Sequence, residues 1–315
     1  MKPLIPTTLL GALFAFGVAN AATTTPVGYY AYDGIGGGNI CIPSFVNPAA
    51  FSGALTAASG ATLTVAANSL TANAYNQGAV YKKFYAEITS GPNAGVVLDI
   101  VSNTTNVVTL GFNISGLGLT GTETITIRPH VTLKSFLSSA EASLNAFSDS
   151  ATFYANGTFQ TYYYGGDGGT GWSSDFATAD GSDRPVPPGT GFVLGLAANV
   201  RLTITGEVKA PDTFVQLVGG VVNIVGPVNP LVGDSVNLSN TGFERLAAFS
   251  DSVTIYQPGP LSVFKTYYPI YGPFPGDPGV LSDDFSTPTS DTMKYTTGAV
   301  VIPSSPTALK LDSGL

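Results

Sequence analysis

Histidine, cysteine, tryptophan and charged residues are all scarce in this chain of 315 residues. It contains one His, one Cys, one Trp and two Met, and only 10% of its residues are charged. One imidazole and one thiol cannot supply the ligand sets of most zinc, haem or iron–sulfur sites. With 12 basic and 20 acidic residues and no run of Lys or Arg, the chain also lacks the positive patch that nucleic acids or anionic membranes require. The composition therefore argues against nucleic-acid binding and most metal chemistry.

Apolar and turn-forming residues are abundant instead. The chain is 44% hydrophobic and contains 38 Gly, 22 Pro, 15 Tyr and 18 Phe, which excludes a disordered protein. Short runs of Val, Ile, Thr, Tyr and Phe, separated by Gly and Pro, predict antiparallel strands. Helical spacing of apolar residues occurs over 132–147, where Thr132 can cap the start, and more weakly over 243–249. We therefore expect an all-β protein with one or two short helices.

The N-terminus has the features of a signal peptide. Lys2 precedes an apolar stretch over 9–18, and Ala19-Asn20-Ala21 forms an A-x-A cleavage site. No later segment reaches the ~20 apolar residues of a spanning helix. We therefore expect export to the periplasm, the cell surface or the extracellular space. The lone Cys41 cannot form an internal disulfide and is interpreted as a small buried hydrophobe.

An internal repeat is the most specific feature of the sequence. Residues 147–154 (FSDSATFY) recur as 249–256 (FSDSVTIY), and five further segments match in the same order. The matched segments are 39–40 with 223–224, 161–163 with 266–268, 175–176 with 284–285, 191–193 with 298–300, and 202–204 with 309–311. The first copy is interrupted by 51–128, which has its own strand pattern.

This repeat defines the predicted domain organisation. A signal peptide over 1–21 precedes a first sandwich-like or barrel-like β unit over 22–50 and 129–210. A small β-barrel over 51–128 is inserted into that unit, and a second β unit covers 211–315.

The matched segments and the S-G-x-N-A-G turn over 90–95 carry a family resemblance. With the strand over 120–129, they resemble an uncharacterised family of exported bacterial all-β proteins that has two aromatic units ending in T-Y-Y. The resemblance implies an extracellular protein and no assigned activity. The chain keeps Trp172 in the first unit only, so a function that needs this Trp would belong to one unit.

Clustered tyrosines form the first candidate site. Side chains alternate along a strand, so Tyr162 and Tyr164 share one face and Tyr163 points to the other. With Trp172, and with Tyr267 and Tyr268 in the second copy, Tyr162 and Tyr164 could form an aromatic platform for sugar rings. The alternative is that these rings pack the core of the sheet.

Acidic loops form the second candidate site. Four aspartates follow the first tyrosine cluster within a Gly-rich loop, and carboxylates of this kind can bind Ca²⁺. They are Asp167, Asp175, Asp180 and Asp183. Their spacing matches neither an EF-hand nor the nonapeptide calcium repeat, and turn chemistry alone explains Asp beside Gly. We expect no cofactor, with calcium as the alternative.

Catalytic patterns are weak. The repeated Ser-Asp-Ser lacks a nucleophile elbow, and His130, the only imidazole, follows Arg128-Pro129 at a strand end. Side-chain bonding to the backbone explains Ser-Asp-Ser better. The five glutamates lie outside the aromatic repeat, although paired carboxylates for glycoside hydrolysis stay formally open.

The sequence as a whole favours an exported, non-enzymatic structural or binding protein of the bacterial cell surface or extracellular matrix. Its expected partner is a glycan or a second copy of the chain, the latter through an uncovered strand edge. A carbohydrate-binding module that uses exposed Tyr and Trp is the first alternative. A carboxylate-dependent hydrolase is the second.

Overall fold

A computed structural model of the protein describes residues 26–312, apart from 156, 167, 170, 210, 229–234, 258–262, 272–278 and 295–296. Within these ranges the chain is mostly β, with one helix of 11 residues, which confirms the predicted fold class. None of the helices in the described part has the length and apolar character needed to cross a bilayer. The predicted signal peptide and Asp167 lie outside the described residues.

The strands are numbered along the chain. They are β1 Val27–Gly34, β2 Gly37–Cys41, β3 Phe51–Ser59, β4 Thr62–Val65, β5 Phe84–Ile88, β6 Val97–Asn103, β7 Val107–Leu110, β8 Thr124–Pro129, β9 Val131–Thr132, β10 Ser150–Ala155, β11 Thr158–Tyr164, β12 Trp172–Ser173, β13 Pro185–Val186, β14 Phe192–Leu196, β15 Val200–Glu207, β16 Thr213–Leu217, β17 Asn223–Val225, β18 Ser235–Asn237, β19 Ser252–Gln257, β20 Val263–Ile270, β21 Val280–Ser282, β22 Thr292–Lys294, β23 Ala299–Ile302 and β24 Thr307–Leu311. The helix α1 spans Leu133–Leu137 and continues as a 3₁₀ helix over Ser138–Ser143. Three further 3₁₀ turns span Ser115–Leu117, Leu238–Asn240 and Phe243–Arg245.

The first unit is a two-layer arrangement. A five-stranded antiparallel sheet has the order β12-β11-β10-β14-β2, β1 pairs with β15, and β9 pairs with β13. Alternate residues of the large sheet face inward, so Tyr162 and Phe192 share a core with Leu202 of β15. The helix covers this core with Phe136.

The helix starts where the sequence predicts and ends earlier. Thr132 caps it by accepting the Ser135 N–H, and the Ser135 hydroxyl accepts the Thr132 N–H in return. The predicted end at Phe147 is wrong, because the last helical turn closes at Ser143 and Leu144 is extended. Ser is a poor helix former, and Asn145 instead donates its N–H to the carboxylate of Asp149.

The second unit repeats the topology of the first. Its five-stranded sheet has the order β21-β20-β19-β23-β17, with β16 paired to β24 and β18 paired to β22. Each strand of the first unit has its counterpart in the same chain order, and Tyr267 takes the buried place of Tyr162. The two copies therefore share one fold as well as sequence matches.

The segment between β2 and β9 forms a closed six-stranded barrel. The strand order around it is β3-β4-β7-β6-β5-β8, and its interior is filled by aliphatic side chains such as Leu63, Leu98 and Ile127. The packed interior leaves the barrel with its own hydrophobic core.

The two units meet through reciprocal contacts. The Gly191 N–H donates to the Ile224 carbonyl at 2.9 Å, and the Gly298 N–H donates to the Ile40 carbonyl at 3.3 Å. Gly191 matches Gly298 in the repeat, and Ile40 matches Ile224. This exchange of equivalent contacts is the pattern of a two-fold interface, here within one chain.

A buried group of four charges fixes the barrel. Lys209, which is 1% exposed, lies 2.8 Å from a Glu87 carboxylate oxygen of β5 and also donates to two backbone carbonyls. Arg128 of β8 pairs with Glu207 and donates to the Asn47 carbonyl at 2.7 Å. Burial lowers the pKa of Lys209, and Glu87 opposes that shift. Two cations and two anions thus neutralise each other where the barrel meets the first unit and the linker over 208–212 that leads to the second unit.

The S-G-x-N-A-G turn attaches the barrel to the second unit. Gly95 has φ +99°, and its carbonyl accepts the Phe214 N–H at 3.2 Å. A Cβ at Gly95 would lie 1.9 Å from the Asp212 carbonyl oxygen. The last glycine of the motif is therefore required by a close backbone contact as well as by its positive φ.

Candidate functional site

The predicted platform residues lie mostly in the cores. Tyr162, Tyr164, Trp172 and Tyr267 are between 0% and 5% exposed, whereas Tyr268 is half-buried. The pleat of β11 turns Tyr162 and Tyr164 toward β1, β15 and the helix, and Tyr267 has the same orientation in β20. Core packing therefore describes these four residues, and a sugar cannot stack on them in the folded protein.

The acidic loops are organised by backbone hydrogen bonds. Asp175 accepts the N–H groups of Ala177 and Thr178 at 2.9 and 3.0 Å, which lowers the pKa of its carboxyl to about 2. Asp180 accepts the Ser174 N–H at 2.8 Å, and Asp183 is exposed.

The described residues contain no group of three or more His, Cys, Asp or Glu placed to hold a metal ion. The geometry of Asp175 and Asp180 is that of turn-capping side chains.

Four phenylalanines have an unusual backbone. Apart from Asn68 and Asn73, the only non-glycine residues with positive φ in the described ranges are Phe147, Phe176, Phe249 and Phe285, with φ of 60° to 63°. They form two pairs of equivalent positions in the repeat, and each ring is 48% to 60% exposed. A bulky side chain in the left-handed region costs about 1–2 kcal/mol, and Gly or Asn would adopt it more readily.

The Phe-Ser-Asp-Ser segments contain the earlier of the two phenylalanines in each unit, Phe147 and Phe249. The Phe147 N–H donates to the Tyr164 carbonyl at 2.8 Å. The buried carboxylate of Asp149 accepts the N–H groups of Asn145 and Ala197, each at 2.7 Å. In the second unit Asp251 accepts the Ala247 and Ser304 N–H groups in the same way. The Ser-Asp-Ser segment thus has the structural role that side-chain bonding to the backbone predicts. Its carboxylate accepts hydrogen bonds from backbone N–H groups in both units.

The later of the two phenylalanines in each unit, Phe176 or Phe285, stacks on a tyrosine from the outer side of the sheet. Phe176 lies 4.8 Å from Tyr163, and Phe285 lies 4.2 Å from Tyr268, both with 23° between ring planes. In the second unit Phe249 extends the group at 6.5 Å from Phe285. The aromatic surface that the chain exposes is therefore formed by the tyrosines of opposite alternation to Tyr162 and Tyr267.

Hydroxyl groups and a second aromatic pair continue this surface along each hairpin. Thr152 and Thr161 share a hydrogen bond at 2.9 Å, and Thr254 and Thr266 share an equivalent bond at 2.9 Å. At the hairpin end of the first unit Tyr154 packs edge-to-face on Phe159, and Phe159 is 62% exposed.

We call these surfaces the aromatic faces. The first aromatic face comprises Ser150, Thr152, Tyr154, Phe159, Thr161, Tyr163 and Phe176. The second comprises Ser252, Thr254, Phe264, Thr266, Tyr268 and Phe285. Neither set contains Asp, Glu, Lys, Arg or His.

Four further titratable groups, His130, Glu87, Glu207 and Cys41, are buried outside the aromatic faces. His130 is buried, its Nε2 lies 2.9 Å from an Asp99 carboxylate oxygen, and its ring packs on Tyr85. Glu87 and Glu207, which both contact Arg128, are buried with it. Burial raises the pKa of the Cys41 thiol to about 12, which matches its interpretation as a core residue. None of these groups presents a free nucleophile or acid to solvent.

A cleft of about 490 Å³ separates the barrel from the first unit. It is lined by Tyr81, Lys82 and Lys83 on one side and by Asp180 and Asp183 on the other. The Tyr81 hydroxyl lies 2.9 Å from that of Tyr162, so this wall is tied to the core of the unit. The cleft has mixed charge and no counterpart in the repeat, unlike the aromatic faces.

Signals for the aromatic faces are present in the sequence. Tyr163, Phe176, Phe147 and their counterparts in the second unit all fall within matched segments, but alternation does not show which tyrosine is exposed.

Compared with protein-family models, curated proteins and solved structures, the chain matches none of them.

Proposed function

We propose that the protein is an exported, non-enzymatic binding protein of the bacterial cell surface or extracellular matrix, and that it contacts its partner through the two aromatic faces. The observation that carries the proposal is the exposure, in both units, of a Tyr–Phe stack whose Phe has a strained backbone. Strain of this kind is concentrated at functional sites, and binding surfaces are enriched in exposed aromatic residues.

The disposition of the carboxylates supports binding over catalysis. Asp149, Asp251 and Asp175 accept backbone N–H groups, and Glu87 and Glu207 are buried with cations. A glycoside hydrolase needs two carboxylates free to act on a substrate in a cleft. The five carboxylates named here are therefore not free to act as such a pair.

The proposal predicts face-dependent attachment to cells. The mature chain, beginning at Ala22, is labelled and incubated with intact cells and matrix of the producing bacterium. We expect saturable binding that is lost when Phe176 and Phe285 are both replaced by Asn. Phe112→Asn is the matched control, because Phe112 is a 47% exposed phenylalanine of the barrel segment. Equal binding by the double variant and the wild type would contradict a role for the faces.

Self-association is the second candidate for the same exterior role. The N-terminal strand β1 lies at the margin of a two-stranded sheet, and its Val27 and Tyr29 are 74% and 79% exposed. Such a strand can pair with a neighbouring chain. Light scattering on the mature chain at high concentration tests this, since a strict monomer excludes assembly through β1.

A further inference from the structure

We infer that each aromatic face binds an uncharged polysaccharide; this inference rests on the proposed function and specifies the chemistry of the partner. The faces are distinct from the buried platform that Tyr162, Tyr164 and Trp172 would have formed.

The rings are presented as flat, fixed surfaces. Phe176 and Phe285 each have a tyrosine stacked against them at 4.8 and 4.2 Å and are about half exposed. A pyranose ring has apolar C–H faces, so it packs on a flat exposed ring with loss of apolar surface from water. Because the stacked tyrosine and the fixed backbone hold each ring, little side-chain freedom is lost on binding.

Hydroxyl groups lie between the aromatic ends of each face. Thr152 and Thr161 occupy the middle of the first hairpin, and Tyr163 and Phe159 flank them four residues apart on β11. Four residues of strand span about 13 Å, which is long enough for more than one linked sugar ring. A hydroxyl that shares one hydrogen bond keeps further donor or acceptor capacity. The aromatic rings of the face can pack on the apolar faces of successive sugar rings, and the threonine hydroxyls between them can bond the hydroxyl groups at the sugar edges.

The charge of the faces selects among polysaccharides. The side chains of both faces are neutral, and the nearby Asp175 and Asp284 direct their carboxylates to backbone N–H groups. Acidic or basic polymers would find no oppositely charged side chain within the faces and would lose hydration. A neutral polymer is therefore the favoured partner. The test below distinguishes it from a protein, a second copy of the chain and a lipid surface.

Repetition adds avidity. The two faces belong to one chain, and the inference extends to a long polymer that occupies both at once, which makes the second contact intramolecular. A repeating polysaccharide offers identical binding epitopes along its length, which suits two equivalent faces.

Affinity for defined polymers tests the inference. The mature chain is mixed with microcrystalline cellulose, chitin, curdlan and starch granules, with polygalacturonate as the anionic comparison and phosphatidylcholine vesicles as the lipid comparison. We expect binding to at least one neutral polymer that persists at high salt. Phe176→Asn alone should weaken binding about tenfold or more, and Phe176→Asn with Phe285→Asn should abolish it.

Two further variants separate ring loss from misfolding. Thr161→Val keeps the shape and removes a hydroxyl, so it should weaken binding while the unfolding transition is retained. Phe112→Asn should bind like the wild type. Each variant is accepted only if its cooperative unfolding transition is present.

The failures are distinguishable. Face-dependent binding to cells, without binding to any of the four neutral polymers, overturns this inference and leaves the proposed function standing. Face-dependent binding to the vesicles, or face-dependent oligomerisation instead of polymer binding, overturns it in favour of a lipid or a second copy. Absence of face-dependent cell binding and of polymer binding overturns both proposals.

Discussion

The backbone at Phe176 leads to a prediction with an unusual sign: Phe176→Asn should be more stable than Phe176→Ala. Both variants lose the ring. Phe176 is 51% exposed, so about 100 Å² of its surface is covered, and this contributes about 2.5 kcal/mol, with about 1 kcal/mol more from stacking on Tyr163.

The two variants differ in the strain that remains. Phe176 has φ +61°, a region that costs Ala about 1–2 kcal/mol and that Asn tolerates. Phe176→Ala should therefore destabilise the first unit by about 3.5 kcal/mol and Phe176→Asn by about 2 kcal/mol. The difference between them, about 1 kcal/mol or more, measures the backbone strain directly.

The chain provides its own reporter and control. Trp172 is the only tryptophan and is buried in the core of the first unit, so its fluorescence during urea unfolding follows that unit. Phe112 is similarly exposed and has negative φ, so Phe112→Asn should be no more stable than Phe112→Ala. If Phe176→Ala matched or exceeded Phe176→Asn in stability, the strain argument would be refuted.

Three further predictions follow from the contacts. Gly95→Ala should destabilise the protein by more than 2 kcal/mol, because its Cβ would clash with the Asp212 carbonyl and its φ is unfavourable for alanine. Gly60→Ala has positive φ but open space around the Cβ, so it should cost about 1 kcal/mol. Thermal unfolding of the two variants measures the difference. Lys209→Met should cost about 3–5 kcal/mol, because the buried Glu87 loses the cation 2.8 Å away and keeps only the more distant contact with Arg128 Nε at 3.9 Å. Glu87→Gln should recover part of the loss in a double-variant cycle. The pKa of Asp175 in the folded protein, about 2, is below the ordinary value of 3.8. The ionised carboxylate therefore stabilises the fold above pH 3.8, and this stabilisation is lost as the pH falls toward 2. The difference in unfolding midpoint between the wild type and Asp175→Asn should shrink over that interval.

Strand and repeat patterns were sufficient for the fold class. The matched segments contain residues that occupy equivalent places in the structure: Gly191 and Gly298 form the reciprocal inter-unit bonds, and Tyr162 and Tyr267 fill equivalent cores. These matches are informative because buried and close-packed positions tolerate few residue types. The capping position Thr132 was also predictable, since its hydroxyl is the only N-cap side chain at the start of the apolar helical spacing.

The exposed face was not predictable from one sequence. Alternation separates Tyr163 from Tyr162 and Tyr164 but does not show which set faces the core, since that depends on where β1, β15 and the helix pack. Nor does any residue-type rule predict positive φ at Phe147, because rules for left-handed backbone favour Gly and Asn. That conformation occurs beside the hydrogen bonds that Asp149 accepts from Asn145 and Ala197.

The proposed binding of one polymer by both faces gives a reason for the contacts that join the barrel and the two units. A polymer that contacts both aromatic faces gains avidity only if the distance between them is kept, and flexible joints would dilute the effective concentration of the second face. Reciprocal bonds at Gly191 and Gly298 join the units directly. The inserted barrel joins them again, through Lys209 at the linker and Gly95 against the second unit. The proposed binding to one polymer thus gives the barrel a role, which is to fix the relative position of the faces without a binding site of its own. Loss of the Lys209 or Gly95 contact should therefore lower avidity for a long polymer more than affinity for a short oligosaccharide that occupies one face.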